Sequence, residues 1–195
     1  FYLEDGEIAE ISKDDYLIRH IEHDNEIIKE IKEIEFSLEQ IEKGNYKYFM
    51  LKEIFEQPSS IRDSLRGRIT DENEVKLGGV YDFTQEILDA KDIYITACGT
   101  SWHAAQIGSY ILESVLQKPV KVEYASELRY RNKHLKSDSL VIAISQSGET
   151  ADTLSAIRKA KEHGALTMGI VNVVGSSVAR ETDCGIYMHA GPEIG

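Results

Sequence analysis

After residue 80 the apolar residues of the chain form a regular pattern, in which short apolar runs alternate with stretches of helical spacing. The apolar runs predict strands at Ile93–Ala97, Val120–Tyr124, Leu140–Ile144, Leu166–Val171 and Ile186–Met188. The stretches between them predict helices at Ser101–Gln117, Ser126–Asn132, Ala151–His163 and Ser176–Glu181. Strands that alternate with helices pair in parallel, because each crossover carries the chain back over a face of the sheet. We therefore predict a doubly wound α/β fold, in which a ligand binds beyond the carboxyl ends of the strands.

The first part of the chain has a different pattern. Residues 1–19 read as short alternating strands, with Asp5-Gly6 as a predicted hairpin turn and Tyr16–Ile18 as a further strand. Because these short strands are too few to bury a core alone, we interpret them as the edge of a larger sheet. From Glu26 to Glu42 the spacing predicts an amphipathic helix. Its charged residues are interpreted as a solvated face rather than as a docking surface for another chain.

Two segments connect this region to the predicted sheet. Residues 48–68 have helical spacing and contain Pro58, where we predict a break, with Ser59 or Ser60 capping the restart. This helical region is the candidate linker between domains. Residues 71–79 are polar and end in a Gly-Gly pair, which predicts a surface loop.

Composition and charge narrow the classes of function. The chain has 22 Lys and Arg against 34 Asp and Glu, a net charge of -12, which disfavours nucleic acid as a partner. Cys98 and Cys184 form no CxxC pair, so neither a zinc site nor a disulfide framework is predicted, and we expect a reducing cytoplasm. No apolar run is long enough for a membrane span, and the first residues lack the features of a signal peptide. The missing initiator methionine leads us to expect that the sequence begins inside a longer protein.

Hydroxyl-rich turns follow two of the predicted strands, each directly before a helix. They are Cys98-Gly99-Thr100-Ser101 and Ser145-Gln146-Ser147-Gly148-Glu149-Thr150. The N–H groups of a first helical turn lack partners within the helix and carry partial positive charge, so such turns suit an anion. Either turn alone is also explained as a capped helix start, but the paired occurrence favours a shared phosphate site. The sequence contains neither GxxxxGK[ST] nor a GxGxxG after a strand, so we expect the phosphate to belong to a small molecule.

Other residues near these turns have simpler interpretations. For the turn Gly175-Ser176-Ser177, capping of the next helix is favoured over lining the site. Glu149 lies in a first helical turn, where the helix dipole favours it, and a role as general base is the less favoured alternative. Cys98 is interpreted as a small apolar residue, and His103 as a surface or packed residue.

Several segments together carry a resemblance to a known family. They are Leu3–Ala9, Lys52–Pro58, Ala97–Ser101, Ser145–Thr153, Val174–Ser177 and Ala190–Gly195. In this order they are similar to sugar isomerase (SIS) domains, and more narrowly to the glutamine:fructose-6-phosphate aminotransferase family. The resemblance implies a doubly wound, flavodoxin- or Rossmann-like SIS fold preceded by the last strands of an Ntn-type glutaminase domain. Residues 1–45 would be the tail of that domain, residues 46–70 an interdomain linker helix, and residues 71–195 a truncated first SIS domain.

The same resemblance implies roles for six residues of the two turns. The residues Thr100, Ser101, Ser145, Gln146, Ser147 and Thr150 match the positions that hold the phosphate and sugar of fructose 6-phosphate. The implied enzyme makes glucosamine 6-phosphate and glutamate from fructose 6-phosphate and glutamine, without a metal or organic cofactor, as a homodimer or higher homo-oligomer. Glutamine would bind the missing glutaminase domain, and the catalytic residues would lie outside this sequence. Trp102 stands where the family leads us to expect a tyrosine, and a non-catalytic SIS sensor of sugar phosphates is the alternative interpretation.

Overall fold

The structure is a computed structural model that describes residues 3–23, 25–29, 42–130 and 135–195. The chain divides into two compact units, Phe1–Leu38 and Glu39–Gly195. The parallel sheet and the helices that cover it belong to the second unit.

A β-hairpin forms much of the described part of the first unit. Strand β1 (Glu7–Ile11) pairs antiparallel with strand β2 (Tyr16–His20). Their connection is closed by Ser12, whose N–H donates to the Asp15 carbonyl over 2.8 Å and whose Oγ accepts the Asp15 N–H over 3.0 Å. The predicted hairpin turn at Asp5-Gly6 is therefore wrong, because these residues form a turn that no strand precedes among the described residues.

The segment after β2 continues this pairing. Arg19 forms an antiparallel bridge with Glu26, and the Ile27 N–H donates to the carbonyl of the buried Ile18 over 2.8 Å. The predicted helix therefore does not begin at Glu26, because tertiary pairing overrides the local helical spacing there. The predicted helical residues 30–41 lie outside the described part of the chain.

Helix α1 (Phe49–Leu65) continues through Pro58. The predicted break, and a restart capped by Ser59 or Ser60, are wrong, and the Ser60 hydroxyl instead donates to the Gln57 carbonyl over 3.1 Å. A proline lacks the N–H and crowds the carbonyl four residues before it, which costs about 3 kcal/mol in a helix interior. Helical spacing on both sides of the proline outweighs this local preference.

A short segment leads from α1 to the sheet. Val75 of the predicted loop forms an isolated antiparallel bridge with Ile69, which lies just before that loop. The 3₁₀ helix Gly78–Phe83 then runs into helix α2 (Thr84–Asp89), so the Gly-Gly pair begins a helical turn rather than ending a loop. A Cβ at Gly79 would overlap the Gly185 carbonyl oxygen, so glycine is required for this close approach to the sheet.

The second unit is built on a five-stranded parallel sheet. Its elements follow one another as β3 (Asp92–Ala97), α3 (Gly99–Leu116), β4 (Val120–Tyr124), α4 (Ala125–Leu128), β5 (Ser139–Ser145), α5 (Ala151–Glu162), β6 (Leu166–Val171), α6 (Ser177–Glu181) and β7 (Cys184–Tyr187). The strand order is β4-β3-β5-β6-β7, and each neighbouring pair is parallel. The predicted doubly wound α/β fold is thus confirmed.

Some element boundaries differ from the prediction. Helix α3 begins at Gly99 rather than at Ser101. Helix α4 ends at Leu128, and residues 131 and 132, the last two of the predicted helix, are outside the described chain. Strand β7 begins at Cys184, before the predicted start. It is an edge strand with mostly half-buried residues, so its apolar pattern marks its ends weakly.

Apolar side chains cover both faces of the sheet. On one face Ile93 packs in a cluster with Ala105 of α3. On the other face Tyr94 and Val141 pack in a cluster with Ala156 of α5. The helices that follow β3 and β5 therefore lie on opposite faces. None of the helices in the described residues is long and apolar enough to cross a bilayer.

Candidate functional site

The strand order reverses between β3 and β5. From β3 the chain moves to β4 on one side, and it then returns to β5 on the other side. Such a switch point opens a crevice at the carboxyl edge of the sheet, where doubly wound folds bind ligands. The register pairs Ala97 with Ile144, so Cys98 and Ser145 begin their turns at neighbouring positions, on strands about 4.8 Å apart. The two hydroxyl-rich turns therefore start side by side at the switch point.

The first turn opens helix α3. Cys98 is its N-cap residue, with extended backbone and no hydrogen bond from its side chain to the first helical N–H groups. Thr100 is exposed and Ser101 is half-buried in the first turn of the helix. This helix start thus presents hydroxyl groups and N–H groups without a side-chain cap, which is an arrangement that suits an anion.

Hydrogen bonds within the second turn set its shape. Ser145 is 4% exposed, and its Oγ accepts the Gly148 N–H over 3.0 Å and lies 3.4 Å from Thr150 Oγ1. The exposed Ser147 accepts the Glu149 N–H over 3.2 Å. Ser145 therefore supports the turn from inside, whereas the Ser147 hydroxyl stays at the surface.

Helix α5 begins directly after this turn. Thr150 is its N-cap residue, without a side-chain cap, and its carbonyl accepts the Leu154 N–H over 3.0 Å. The N–H groups of Ala151 to Thr153 come before that bond and have no partner along the helix. A second helix start thus faces the carboxyl edge of the sheet beside the first.

A third turn packs against the second. The Glu149 carboxylate accepts the Ser177 N–H at the start of α6 over 2.7 Å, and Val178 N–H donates to the Gly148 carbonyl over 2.9 Å. Ser176 occupies the N-cap position of α6 but makes no side-chain cap. The prediction that this turn supplies its own cap is therefore wrong, since Glu149 provides it. This bond also gives Glu149 a structural partner, in agreement with its interpretation as a dipole-favoured residue.

Charge at the second helix start is balanced locally. Asp152 lies in the first turn of α5, and Arg129 pairs with it at an Nη1–Oδ1 distance of 2.9 Å. The two turns themselves contain no Lys or Arg. An anion there would be bound by hydroxyls, N–H groups and helix dipoles, and the Asp152 charge that would repel it is compensated.

An aromatic pair lies on the β4 side of the site. The half-buried Trp102 stacks on Tyr124, with ring centroids 4.3 Å apart and ring planes at 6°. Tyr124 is the last residue of β4 and pairs with Ala97. His103 is exposed and meets the Trp102 ring edge-on at 5.1 Å, in agreement with its interpretation as a surface residue.

The fold and these turns have known counterparts. Residues 86–195, more than half of the chain, match the model of the SIS domain family. The chain belongs to the SIS domain family. The SIS fold implied by the sequence motifs is thereby confirmed.

Relatives of this SIS chain share a common name. The glutamine–fructose-6-phosphate aminotransferase (isomerizing) of Chlorobaculum tepidum is 57% identical over 195 residues, and that of Bacteroides thetaiotaomicron is 54% identical over 196 residues. Both matches cover 100% of this chain but 32% of the relative, so the chain spans about a third of their length. In a solved structure, the C-terminal domain of glucosamine-fructose-6-phosphate aminotransferase from Francisella tularensis, the TM-score is 0.70 at 42% identity, over 79% of this chain and 43% of that one.

The six residues predicted from the sequence lie in two groups in this SIS domain. Thr100 and Ser101 belong to the start of α3, and the other four belong to the end of β5 and the turn before α5. Sequence reasoning missed Tyr124 and Asn172, which end or follow β4 and β6 at the same edge. Asn172 is 5% exposed, and its N–H donates to the Gln146 carbonyl over 3.2 Å. Both could have been identified in the sequence, because each is a polar or aromatic residue at the carboxyl end of a predicted strand.

One group of side chains in the first unit resembles a metal site. The donor atoms of His20, Glu22 and His23 lie within 4.8 Å of one another. However, His20 Nδ1 accepts the Glu22 N–H over 3.2 Å, and the His20 ring stacks on His23 with centroids 5.0 Å apart. These contacts account for the cluster without an ion, so we assign no metal to it.

Proposed function

We propose that this chain is the sugar-phosphate-binding part of a glutamine–fructose-6-phosphate aminotransferase and that its two adjacent turns hold fructose 6-phosphate. Relatives of that name match the chain over its whole length. The observation that carries the proposal is the β3–β5 register, because it sets two hydroxyl-rich helix starts side by side at the switch point. A phosphate there would accept hydrogen bonds from both helix starts at once.

The proposed site consists of the six residues Thr100, Ser101, Ser145, Gln146, Ser147 and Thr150, which bind the ligand directly or shape the turn that does. Among them the exposed hydroxyls of Thr100 and Ser147 are assigned to the phosphate, together with the N–H groups of the two first helical turns. The half-buried Gln146 is assigned to the sugar. Ser145 acts through the turn, since its buried hydroxyl already holds the Gly148 N–H.

The proposal extends to a longer enzyme. Residues 1–45 would end a glutaminase domain, residues 46–70 would link it to the isomerase half, and residues 71–195 would be most of the first SIS domain. Glutamine hydrolysis would release ammonia, which condenses with the carbonyl of open-chain fructose 6-phosphate and expels water. The resulting imine would isomerise to glucosamine 6-phosphate on residues outside this chain. The complete enzyme would act in the cytoplasm as a homodimer or higher homo-oligomer, without a cofactor.

Ligand-dependent thermal stability tests the binding step. Fructose 6-phosphate and glucosamine 6-phosphate should raise the melting temperature, because a ligand that binds only the folded state adds about 2.7 kcal/mol at 100 times its dissociation constant. Each hydrogen bond to a charged acceptor contributes about 1.5–3 kcal/mol. Ser147→Ala and Thr100→Val should therefore raise the dissociation constant about 10- to 150-fold.

Ser114→Ala is the matched control, because this exposed serine lies near the other end of α3. It should leave the dissociation constant unchanged, and fructose without its phosphate should not stabilise any variant. If neither sugar phosphate stabilises the wild-type chain, the binding proposal is wrong. If binding occurs but the complete protein forms no glucosamine 6-phosphate from glutamine, the sensor interpretation replaces the enzymatic one.

A further inference from the structure

Residues Ala190–Gly195 form a segment that is attached to the rest of the second unit at two points, and we call this segment the strap. At its first end, Asn172 Oδ1 accepts the Ala190 N–H over 2.7 Å, and Asn172 Nδ2 donates to the Gly191 carbonyl over 2.6 Å. Asn172 is 5% exposed, so these bonds are shielded from water. A single buried carboxamide therefore holds both a donor and an acceptor of the strap backbone.

At its other end the strap is attached to helix α1. Glu53 Oε1 accepts the Ile194 N–H over 2.7 Å and the Gly195 N–H over 3.0 Å. A Cβ at Gly195 would collide with the backbone of Met50, so the strap lies directly on the helix. The strap thus runs from the carboxyl edge of the sheet to α1.

The same asparagine contacts the proposed ligand turn through its backbone. Its N–H donates to the Gln146 carbonyl over 3.2 Å, next to the end of β6. Asn172 therefore bonds the Gln146 backbone through its own N–H and the Ala190-Gly191 backbone through its side chain. This one buried residue connects the strap to the second turn.

We propose that Asn172 is a positioning residue, which fixes the strap as the β6-side wall of the sugar-phosphate site and thereby keeps Gln146 directed at the sugar. The inference rests on the proposed function of the two turns. The carboxamide is suited to the task because it donates and accepts at once, so one buried side chain bonds both a strap N–H and a strap carbonyl. Glu53 completes the wall by holding the far end of the strap.

Binding of fructose 6-phosphate to the chain tests the effect on the site. Asn172→Ala should raise the dissociation constant about 10-fold or more, since the strap then loses both shielded hydrogen bonds. Thr167→Ala is the matched control, because this residue is also buried but lies near the start of β6, away from Asn172, and donates to Asp183 over 2.7 Å. It should lower the melting temperature but change the dissociation constant less than about twofold.

Amide hydrogen exchange tests the strap without any ligand. Asn172→Ala should speed exchange of the Ala190 amide at least about 10-fold, and Glu53→Ala should do so for Ile194 and Gly195. Glu53→Gln keeps a carbonyl acceptor and should retain wild-type exchange. Glu53 is half-buried on α1, a helix that contributes no residue to the apolar clusters on the sheet, so its variants should fold even if Asn172→Ala does not.

The outcomes separate this inference from the proposed function. If the wild-type chain does not bind fructose 6-phosphate, the proposed function fails, and the exchange rates still decide whether Asn172 holds the strap. If the wild type binds and Asn172→Ala binds equally well, the positioning role is overturned while the proposed function stands. Unchanged Ala190 exchange in Asn172→Ala would overturn the inference by itself.

Discussion

Gly148 is confined in the proposed site by its backbone conformation and by a neighbouring serine. Its φ of +67° lies in the left-handed region, and a Cβ there would overlap the buried Ser176 side chain. Its carbonyl accepts the Val178 N–H, and its N–H donates to Ser145. This one residue therefore joins the second and third turns through its backbone.

Gly148→Ala should lower the free energy of unfolding by about 2 kcal/mol or more, because it adds strain and a steric overlap at one position. Denaturant unfolding measures the change. Gly108→Ala is the control, since Gly108 lies within α3 with open space around it and should be neutral or stabilising by up to about 1 kcal/mol. Equal stability of the two variants would contradict the close approach at Gly148.

Among the elements, helix α1 combines an unfavourable residue with a structural task. Pro58 lies inside the helix, and Glu53 one turn earlier holds the strap. The helix therefore contains a helix-breaking residue close to Glu53, which holds the strap. Local opening of α1 would release Ile194 and Gly195 at the same time.

Pro58→Ala should stabilise α1 by about 1–3 kcal/mol, because it supplies the missing N–H and removes the clash with the Ile54 carbonyl. Slower amide exchange along residues 54–62 would show this. Ser59→Ala changes the neighbouring position without altering the backbone, and its effect should stay below about 0.5 kcal/mol. Faster exchange in the proline variant would contradict the expectation.

The sequence predicted the elements whose residues repeat a strong pattern. The apolar runs of β3 to β6 and the hydroxyl-rich turns after β3 and β5 are local features, and their positions follow from strand length and periodicity. The bond between Glu149 and Ser177 joins residues 28 positions apart, and that between Asn172 and Ala190 joins residues 18 positions apart. Such pairings depend on how the strands are ordered, so neither residue carries a local sign of its partner.

In the first unit and in α1, strong local sequence signals predicted features that the structure does not have. The Asp5-Gly6 pair is a strong local hairpin signal, but the hairpin forms at Ser12–Asp15, where the following strand buries Ile18. At Pro58 a strong local breaker is overridden by the pattern on both sides. In both cases packing over many residues outweighed the preference of one or two.

At the scale of the whole molecule, acidic residues dominate the charge. The net charge is -12 at pH 7, and several carboxylates have local partners. Burial raises the pKa of Asp183, but its hydrogen bonds with Lys161 and Thr167 outweigh that effect and hold the pKa below its ordinary value. The Lys161 Nζ lies 2.8 Å from this carboxylate.

A carboxyl group whose pKa is lower in the folded state than in the unfolded chain stabilises the fold. This contribution is fully present above the unfolded-state pKa, which is about 3.9 for an aspartate, and it is lost as the pH falls through the folded-state pKa. Asp183→Asn should therefore reduce stability at pH 7, and its difference from wild type should shrink below about pH 4. Urea unfolding of both proteins across this range measures the difference. A difference that grows on acidification would contradict the pairing.

The strap joins residues that a ribosome makes at very different times. Glu53 and Ile194 are 141 positions apart. At about 5–20 residues per second, roughly 7 to 30 seconds of translation separate them. The turns after β3 and β5 emerge during this interval, when the β6-side wall has not yet been made. If the proposed function is correct, a nascent chain that already has β3 to β5 therefore gains the β6-side wall of the site only after the strap has emerged.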